Sequence, residues 1–247
     1  MSDGDAPQIW ITGDPIDPRA AVEFLVERYP RDTVRYYDYA DMEVGEDRRS
    51  PVDDVTLTDL GRLTCIGAGL TYERSHVLLR EAADAPWPEL DVAPLTAHAG
   101  GEQFVHAEGV AAMWVLFDYW TSLGGLAFGT VGKLLHIKWP DFVPITDSEF
   151  LGVYQERAVK HHNASMGIKE SVGDQRAPTK TANVRAYWMA FREDLVASSD
   201  GLAHMKELLR DLPADSEQTV THVQRLSGLT DLRLLDALVW GRSRGRV

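Results

Sequence analysis

The sequence predicts a mainly α-helical protein. Apolar residues recur at helical spacing in most segments, and strict alternation is confined to 34–39. Short links that carry proline or glycine separate these segments, and the sequence contains no internal repeat. With 247 residues, 44% of them hydrophobic, the chain is long enough to bury a core as one large domain or two small ones.

The N-terminal quarter is predicted to hold one helix between irregular segments. Residues 1–18 are rich in Asp, Pro and Gly, so we expect a loose N-terminus. A helix is predicted over 18–29, since proline is favoured in the first helical turn and Pro30 would end the helix. Residues 34–39 alternate like a short strand.

The middle of the chain predicts three more helices. Thr58 is expected to cap a helix that runs to Ile66, and a second helix is expected over 72–83. A proline-rich link near 86–101 precedes a strongly apolar helix over 102–123. Further segments with helical character are 148–159, 182–196, 200–212, 217–225 and 230–240, and 163–179 is expected to be a surface loop.

These elements predict an all-α fold with a single helical domain over 19–240. The link near 86–101 leaves open a division into two lobes. Residues 241–247, with the sequence GRSRGRV, are expected to form a basic, frayed tail.

The composition excludes several classes of protein. No apolar run approaches the ~20 residues that cross a bilayer, so we expect no membrane partner. A single cysteine, Cys65, excludes an internal disulfide and a multi-cysteine metal site. This cysteine usage and the acidic N-terminus suggest a cytoplasmic location. We expect neither a metal nor a cofactor, because the glycine motifs near Gly67 and Gly132 lack residues that a Rossmann site or a P-loop requires.

The charge is unevenly distributed. Residues 1–120 carry a net charge of −14 and residues 121–247 a net charge of +1, which together give −13. Basic residues are concentrated in 157–192, where Arg157 and Lys160 come first. A local basic patch is enough for phosphate contact, although a solvated surface would have the same composition.

The most informative stretch is 124–150, GGLAFGTVGKLLHIKWPDFVPITDSEF. Its glycines are compatible with a tight turn whose N–H groups face an anion, followed by a short helix that begins at Lys133. An apolar segment with Pro144 then leads to Asp147, at the expected start of the next helix. A carboxylate at that position is favoured in its ionised form.

This arrangement resembles the helix-hairpin-helix DNA glycosylase superfamily. The segment KLLHIKWPDFVPITDSEF, with LRLLDALVW near the C-terminus, is also similar to a bacterial family of uncharacterised proteins that shares the pattern K-L-L-x-x-K-x-P…P-x-x-D. The turn between Gly129 and Gly132 is one residue longer than is usual in the superfamily. The resemblance implies an enzyme that flips a nucleobase out of DNA and cleaves its N-glycosidic bond.

The resemblance also implies roles for particular residues. Asp147 would be the catalytic carboxylate, and Lys133 could attack the sugar to form an imine. The expected nucleic-acid contacts are Gly129, Thr130, Gly132, Lys138, Arg157 and Lys160, and the candidates for a base pocket are Trp139, Tyr154 and Tyr37.

Three alternatives remain open at this point. Asp147 could simply cap a helix or pair with Lys133 or Lys138, since aspartate is common at helix starts. The protein could then be a non-catalytic helical protein that binds a basic partner or nucleic acid. It could also be an N-glycosidase for a small nucleoside, which would need no phosphate patch.

Overall fold

The computed structural model describes residues 6–28, 51–89, 92–165, 184–212 and 226–247. Tyr37, the strand expected over 34–39, the helix expected over 217–225 and most of the loop expected over 163–179 lie outside these ranges. The described chain is mainly helical, with one small two-stranded sheet, and this confirms the predicted fold class.

The elements follow one another in the order β1, β2, α1 to α10. The strands are β1 (Ile9–Ile11) and β2 (Asp14–Ile16), and the helices are α1 (Pro18–Arg28), α2 (Leu57–Cys65), α3 (Tyr72–Glu81), α4 (Glu102–His106), α5 (Glu108–Ser122), α6 (Phe128–Lys138), α7 (Ser148–Ser165), α8 (Val184–Ala197), α9 (Ser199–Arg210) and α10 (Asp231–Ser243).

The described residues 6–18 differ from the loose segment expected over 1–18. The strands β1 and β2 pair in an antiparallel hairpin, with Thr12 (φ 54°) and Gly13 (φ 85°) at the turn. Ile9 and Ile11 are completely buried on one face of β1. The N–H of Trp10 donates to Ser198 Oγ at 2.7 Å. The hairpin is therefore fixed against the helices by both apolar burial and hydrogen bonds.

Two helix boundaries also differ from prediction. The helix expected over 102–123 is divided into α4 and α5, because Ala107 has an extended backbone (φ −61°, ψ 132°). The helix α2 is capped by Thr56 rather than Thr58, and Thr56 and Asp59 exchange the two hydrogen bonds of a capping box. Both changes are local and leave the helical class unaffected.

The proline-rich link is mostly exposed, but a few of its residues anchor it to the core. Leu95 is completely buried, and its N–H donates to the carbonyl oxygen of Asp141 at 2.9 Å. Arg192 Nε donates to the carbonyl oxygen of His98 at 2.8 Å. Apolar residues before and after 86–101 share one hydrophobic cluster. The described residues thus form one core, with no separation at the link.

The tail over 241–247 was expected to be frayed, but its first residues pack against the rest of the protein. The helix α10 continues to Ser243, and a Cβ on Gly241 would lie 2.5 Å from Phe24 Cζ, so α10 packs closely on α1. Arg242 forms an ion pair with Asp14 at the hairpin. In the part of the chain that the structure describes, none of the helices is long and apolar enough to cross a membrane.

Candidate functional site

Gly129 and Gly132 lie inside a helix and do not form the expected turn. The helix α6 begins at Phe128, five residues earlier than predicted, so Gly129 and Gly132 are helical and neither has a positive φ. A Cβ on Gly132 would meet the Thr146 carbonyl oxygen at 2.8 Å. The glycine at 132 therefore lets α6 approach the segment before Asp147, and the expected anion-binding turn is wrong.

Lys133 lies close to Asp147, as the sequence suggested. Its Nζ is 3.8 Å from Asp147 Oδ2, and the two side chains are 11% and 18% exposed. The same Nζ donates to the carbonyl oxygen of Gly67 at 3.2 Å. Both contacts suit an ammonium group, which has no lone pair with which to attack a sugar.

Asp147 caps the helix α7. Its Oδ1 accepts the N–H of Phe150 at 3.2 Å, which is the bond of an N-cap to the third helical residue. Burial raises the pKa of Asp147, while the N–H of Phe150 and the charge of Lys133 oppose that rise. The capping alternative is thus realised, but the side chain also reaches a crevice at the surface.

A second carboxylate, Asp236, lies beside Asp147 and was missed in the sequence. It is 6% exposed on α10, and its Oδ2 accepts the N–H of Ile145 at 2.9 Å. Burial raises the pKa of Asp236 to about 7, helped by the charge of Asp147 and opposed by Arg233 and Lys133. The sequence signal that could have revealed Asp236 is its position as the one carboxylate in LRLLDALVW, a helix whose apolar residues are predicted to face the core.

The two carboxylates share a narrow crevice. Its volume is about 20 Å³, which is enough for about one water molecule. The lining residues are Ile145, Asp147, Glu149, Phe150, Asp236, Val239 and Trp240. A carboxyl group whose pKa is raised towards neutrality is a better proton acceptor at that pH. The crevice can therefore hold and polarise a water, but it is too small for a nucleobase.

A buried histidine joins the helices that carry the site. His136 on α6 donates from Nδ1 to the carbonyl oxygen of Val143 at 2.5 Å, and its Nε2 accepts from Arg233 on α10. Burial, reinforced by the charge of Arg233, lowers the pKa of His136 well below its ordinary value. The ring is therefore neutral and acts as a fixed bridge from α6 to Arg233 on α10.

Two of the predicted nucleic-acid contacts are buried. Lys138 Nζ lies 2.8 Å from Asp59 Oδ2, and both side chains are almost completely shielded from solvent. The hydroxyl of Thr130 donates to the carbonyl oxygen of Ala68 at 2.9 Å. Both side chains hold α6 against the segment that contains α2, so neither can contact phosphate.

Another two predicted residues belong to a network between α7 and α8. Arg157 pairs with Asp194 and, at 2.6 Å, with Glu193. The hydroxyl of Tyr154 donates to Asp194 Oδ2 at 2.9 Å, and burial raises the pKa of Tyr154 well above its ordinary value. Tyr154 is completely buried within this network, which gives its expected base-pocket role no support, and Arg157 is committed to two carboxylates.

The remaining predicted residues lie away from the crevice or outside the described ranges. Lys160 is exposed and lies 3.0 Å from Glu156 on the same helix face. Trp139 is half-buried, with its ring centroid 6.2 Å from that of Trp87. Tyr37 is outside the described residues. Within those residues, no group of His, Cys, Asp or Glu side chains is arranged to hold a metal ion.

Comparison with models of protein families matches residues 20–243 to a family of unknown function, DUF6308. The chain belongs to the DUF6308 family. The match includes Lys133, Asp147 and Asp236, so the whole candidate site lies within the family domain. Comparisons of this DUF6308 protein with curated proteins and with solved structures found no match.

Proposed function

We propose that this DUF6308 protein is an N-glycosidase that hydrolyses the bond between a nucleobase and its sugar, as the resemblance to helix-hairpin-helix glycosylases implies. The observation that carries the proposal is the water-sized crevice between Asp147 and Asp236. Two carboxyl groups with raised pKa values around one water are a suitable arrangement for general base catalysis.

The proposed reaction is a single displacement by water. The water oxygen forms a bond to the anomeric carbon of the sugar as the bond from that carbon to the base nitrogen breaks. The bonding electron pair leaves with the base, which takes up a proton from solvent. Asp147 accepts the proton that the water loses, and its negative charge stabilises the positive sugar in the transition state. Asp236, which lines the same crevice, orients the water.

Lys133 has a positioning role in this proposal. Its ammonium is held by the Gly67 carbonyl oxygen and by Asp147, and this favours an electrostatic role over covalent attack. An imine between Lys133 and the sugar would require a neutral amine at that position. The proposed enzyme therefore releases the base without cleaving a DNA strand, and borohydride would trap no covalent complex.

Two substrate classes fit this chemistry. DNA is the substrate that the resemblance implies, and exposed Lys160 remains available for phosphate contact. Three side chains that were expected to contact phosphate, those of Thr130, Lys138 and Arg157, already bond to other groups of the protein. This favours a free nucleoside as the substrate. A nucleoside needs no such phosphate contacts.

A non-catalytic helical protein that binds a basic partner or nucleic acid is the second candidate function. The observation in its favour is that Asp147 already has two structural roles, as the cap of α7 and as the partner of Lys133. In that case the crevice would be only a packing defect filled by water.

The test is release of free base, measured by chromatography. Wild-type protein is incubated with oligonucleotides that carry candidate modified bases and, separately, with a panel of nucleosides. Asp147→Asn is the diagnostic variant, because asparagine also caps helices well, and Glu156→Gln on the same helix is the control. We expect release by wild type and by the control, with a loss of about 100-fold or more in Asp147→Asn. Release that is equal in all three proteins would exclude the proposed role of Asp147.

A further inference from the structure

A second, larger cavity adjoins the crevice. It is an open groove of about 430 Å³ between the first turns of α7 and the end of α10, lined by Ser148, Glu149, Gly152, Val153 and Ser243. This volume lies in the range of small-molecule sites. Because Glu149 lines both the groove and the crevice, a molecule in the groove would lie directly beside Asp147.

The groove lining has the chemistry of a hydroxyl-binding site. It offers the carboxylate of Glu149 and the hydroxyls of Ser148 and Ser243, together with open space above Gly152, where a Cβ would meet nothing within 4 Å. The five described lining residues include no aromatic ring for stacking a base. Arg244, which follows Ser243, is a cation beside the groove, but it is paired with Glu149. A carboxylate would repel phosphate but would accept hydrogen bonds from sugar hydroxyls.

Glu149 is held in a fixed, ionised state. Ser148 Oγ donates to Glu149 Oε2 at 2.8 Å, and Arg244 Nη2 donates to Oε1 at 3.2 Å. The hydrogen bond from Ser148 lowers the pKa of Glu149, and Arg244 lowers it further. A carboxylate has about four lone-pair sites, so each oxygen can still accept another hydrogen bond.

We propose that this groove binds a sugar with adjacent hydroxyls, with Glu149 as their acceptor. This assignment rests on the proposed N-glycosidase function. It implies that the substrates are ribonucleosides rather than deoxyribonucleosides or DNA. The same chemistry is used where a carboxylate recognises the ribose 2′-OH of a dinucleotide. A site built to bind a hydroxyl discriminates against the analogue that lacks it.

The experiment compares base release from the four common ribonucleosides and their 2′-deoxy counterparts. Wild type is expected to prefer the ribonucleosides by about tenfold or more, which corresponds to the loss of a hydrogen bond to a charged group. Glu149→Gln should reduce that preference, and Glu156→Gln, exposed on the same helix, should retain it. Equal release from ribo- and deoxyribonucleosides, with Asp147→Asn inactive, would overturn the sugar assignment and leave the N-glycosidase intact.

A binding measurement separates the two proposals when no base is released. Saturation-transfer NMR with free D-ribose and 2-deoxy-D-ribose requires no catalysis. A stronger signal for D-ribose that is lost in Glu149→Gln would support the sugar site even if the N-glycosidase proposal fails. The absence of a D-ribose signal with the wild-type protein, or an unchanged signal in Glu149→Gln, would overturn the sugar site.

Discussion

Gly132 and Thr146 are in such close contact that a Cβ on the glycine would lie 2.8 Å from the Thr146 carbonyl oxygen and 3.0 Å from the Thr146 Cβ. Thr146 directly precedes Asp147, so this contact sets the distance between α6, which carries Lys133, and the candidate catalytic carboxylate. The position of Asp147 thus depends on the absence of a side chain at 132.

Gly132→Ala is expected to destabilise the protein by about 1–3 kcal/mol, because overpacking against backbone has costs of that size. The loss should exceed the gain of up to ~1 kcal/mol that alanine provides inside a helix. Urea unfolding measures the difference in the free energy of unfolding. The same substitution should also weaken base release, since it moves Asp147 relative to Lys133.

Gly129→Ala is the matched control for that experiment. Gly129 lies on the same helix, and its added Cβ would be 3.5 Å from the Asp147 Cβ, which is an ordinary contact. We expect this variant to be as stable as wild type or more stable. If Gly132→Ala proved at least as stable as Gly129→Ala, close packing would not be the reason for the glycine at 132.

Asp59→Asn is expected to cost about 3–5 kcal/mol of stability, since it removes the carboxylate that pairs with Lys138 in a shielded site. Lys160→Met is a suitable comparison, because the exposed pair between Lys160 and Glu156 should contribute only about 0.5 kcal/mol or less. Thermal unfolding of both variants checks the difference. Similar small losses would mean that the Lys138–Asp59 pair is not structurally important.

Because of Asp236, the free energy of unfolding should fall as the pH rises towards 7. Its folded pKa of about 7 lies above the ordinary value, so the folded state keeps a proton that the unfolded state has already lost. Between these two pKa values, this group lowers the free energy of unfolding by up to roughly 1.4 kcal/mol per pH unit. The stabilisation that protonated Asp236 provides is fully present below the pKa of the unfolded state and is lost as the pH rises past 7.

Asp236→Asn tests that dependence, because asparagine cannot ionise and can still accept the Ile145 N–H. The variant should gain stability relative to wild type as the pH increases from 5 to 8, measured by urea unfolding at each pH. Glu156→Gln, at an exposed position paired with Lys160, serves as the control. A difference between Asp236→Asn and wild type that does not change with pH would show that Asp236 is ionised throughout this range.

Asp147→Ala and Asp147→Asn separate the effect of the helix cap on stability from the effect of the charge of Asp147. Alanine removes the bond to the Phe150 N–H and should lower stability by about 1 kcal/mol, within a range of 0.5–2. Asparagine keeps a capping oxygen and avoids burying a charge, so that variant should be at least as stable as wild type at pH 7. Equal stability of the alanine and asparagine variants would mean that the cap contributes little.

The fold class could be predicted because helical periodicity is a local property of the sequence. The start of α7 directly after Asp147 follows from capping preferences in the same way. The hairpin of β1 and β2 was missed, because strands of three residues contain too few positions for an alternating pattern. Its stability comes from helices far along the chain.

The site was only partly predictable. The proximity of Lys133 and Asp147 follows from one short stretch of sequence, but the roles of other polar residues depend on distant partners. Lys138 pairs with a residue 79 positions earlier, and Asp236 meets the Ile145 N–H from 91 positions away. The glycines at 129 and 132 were misassigned because glycine is equally compatible with a turn and with close helix packing.

The decisive measurement is the rate of base release by Asp147→Asn and by wild type at equal protein concentration, after urea unfolding has shown that both proteins are folded. Wild type is expected to liberate a nucleobase from at least one ribonucleoside or oligonucleotide, and the variant to do so at about one hundredth of the rate or less. A folded variant that liberates base as fast as wild type would disprove the catalytic role of Asp147.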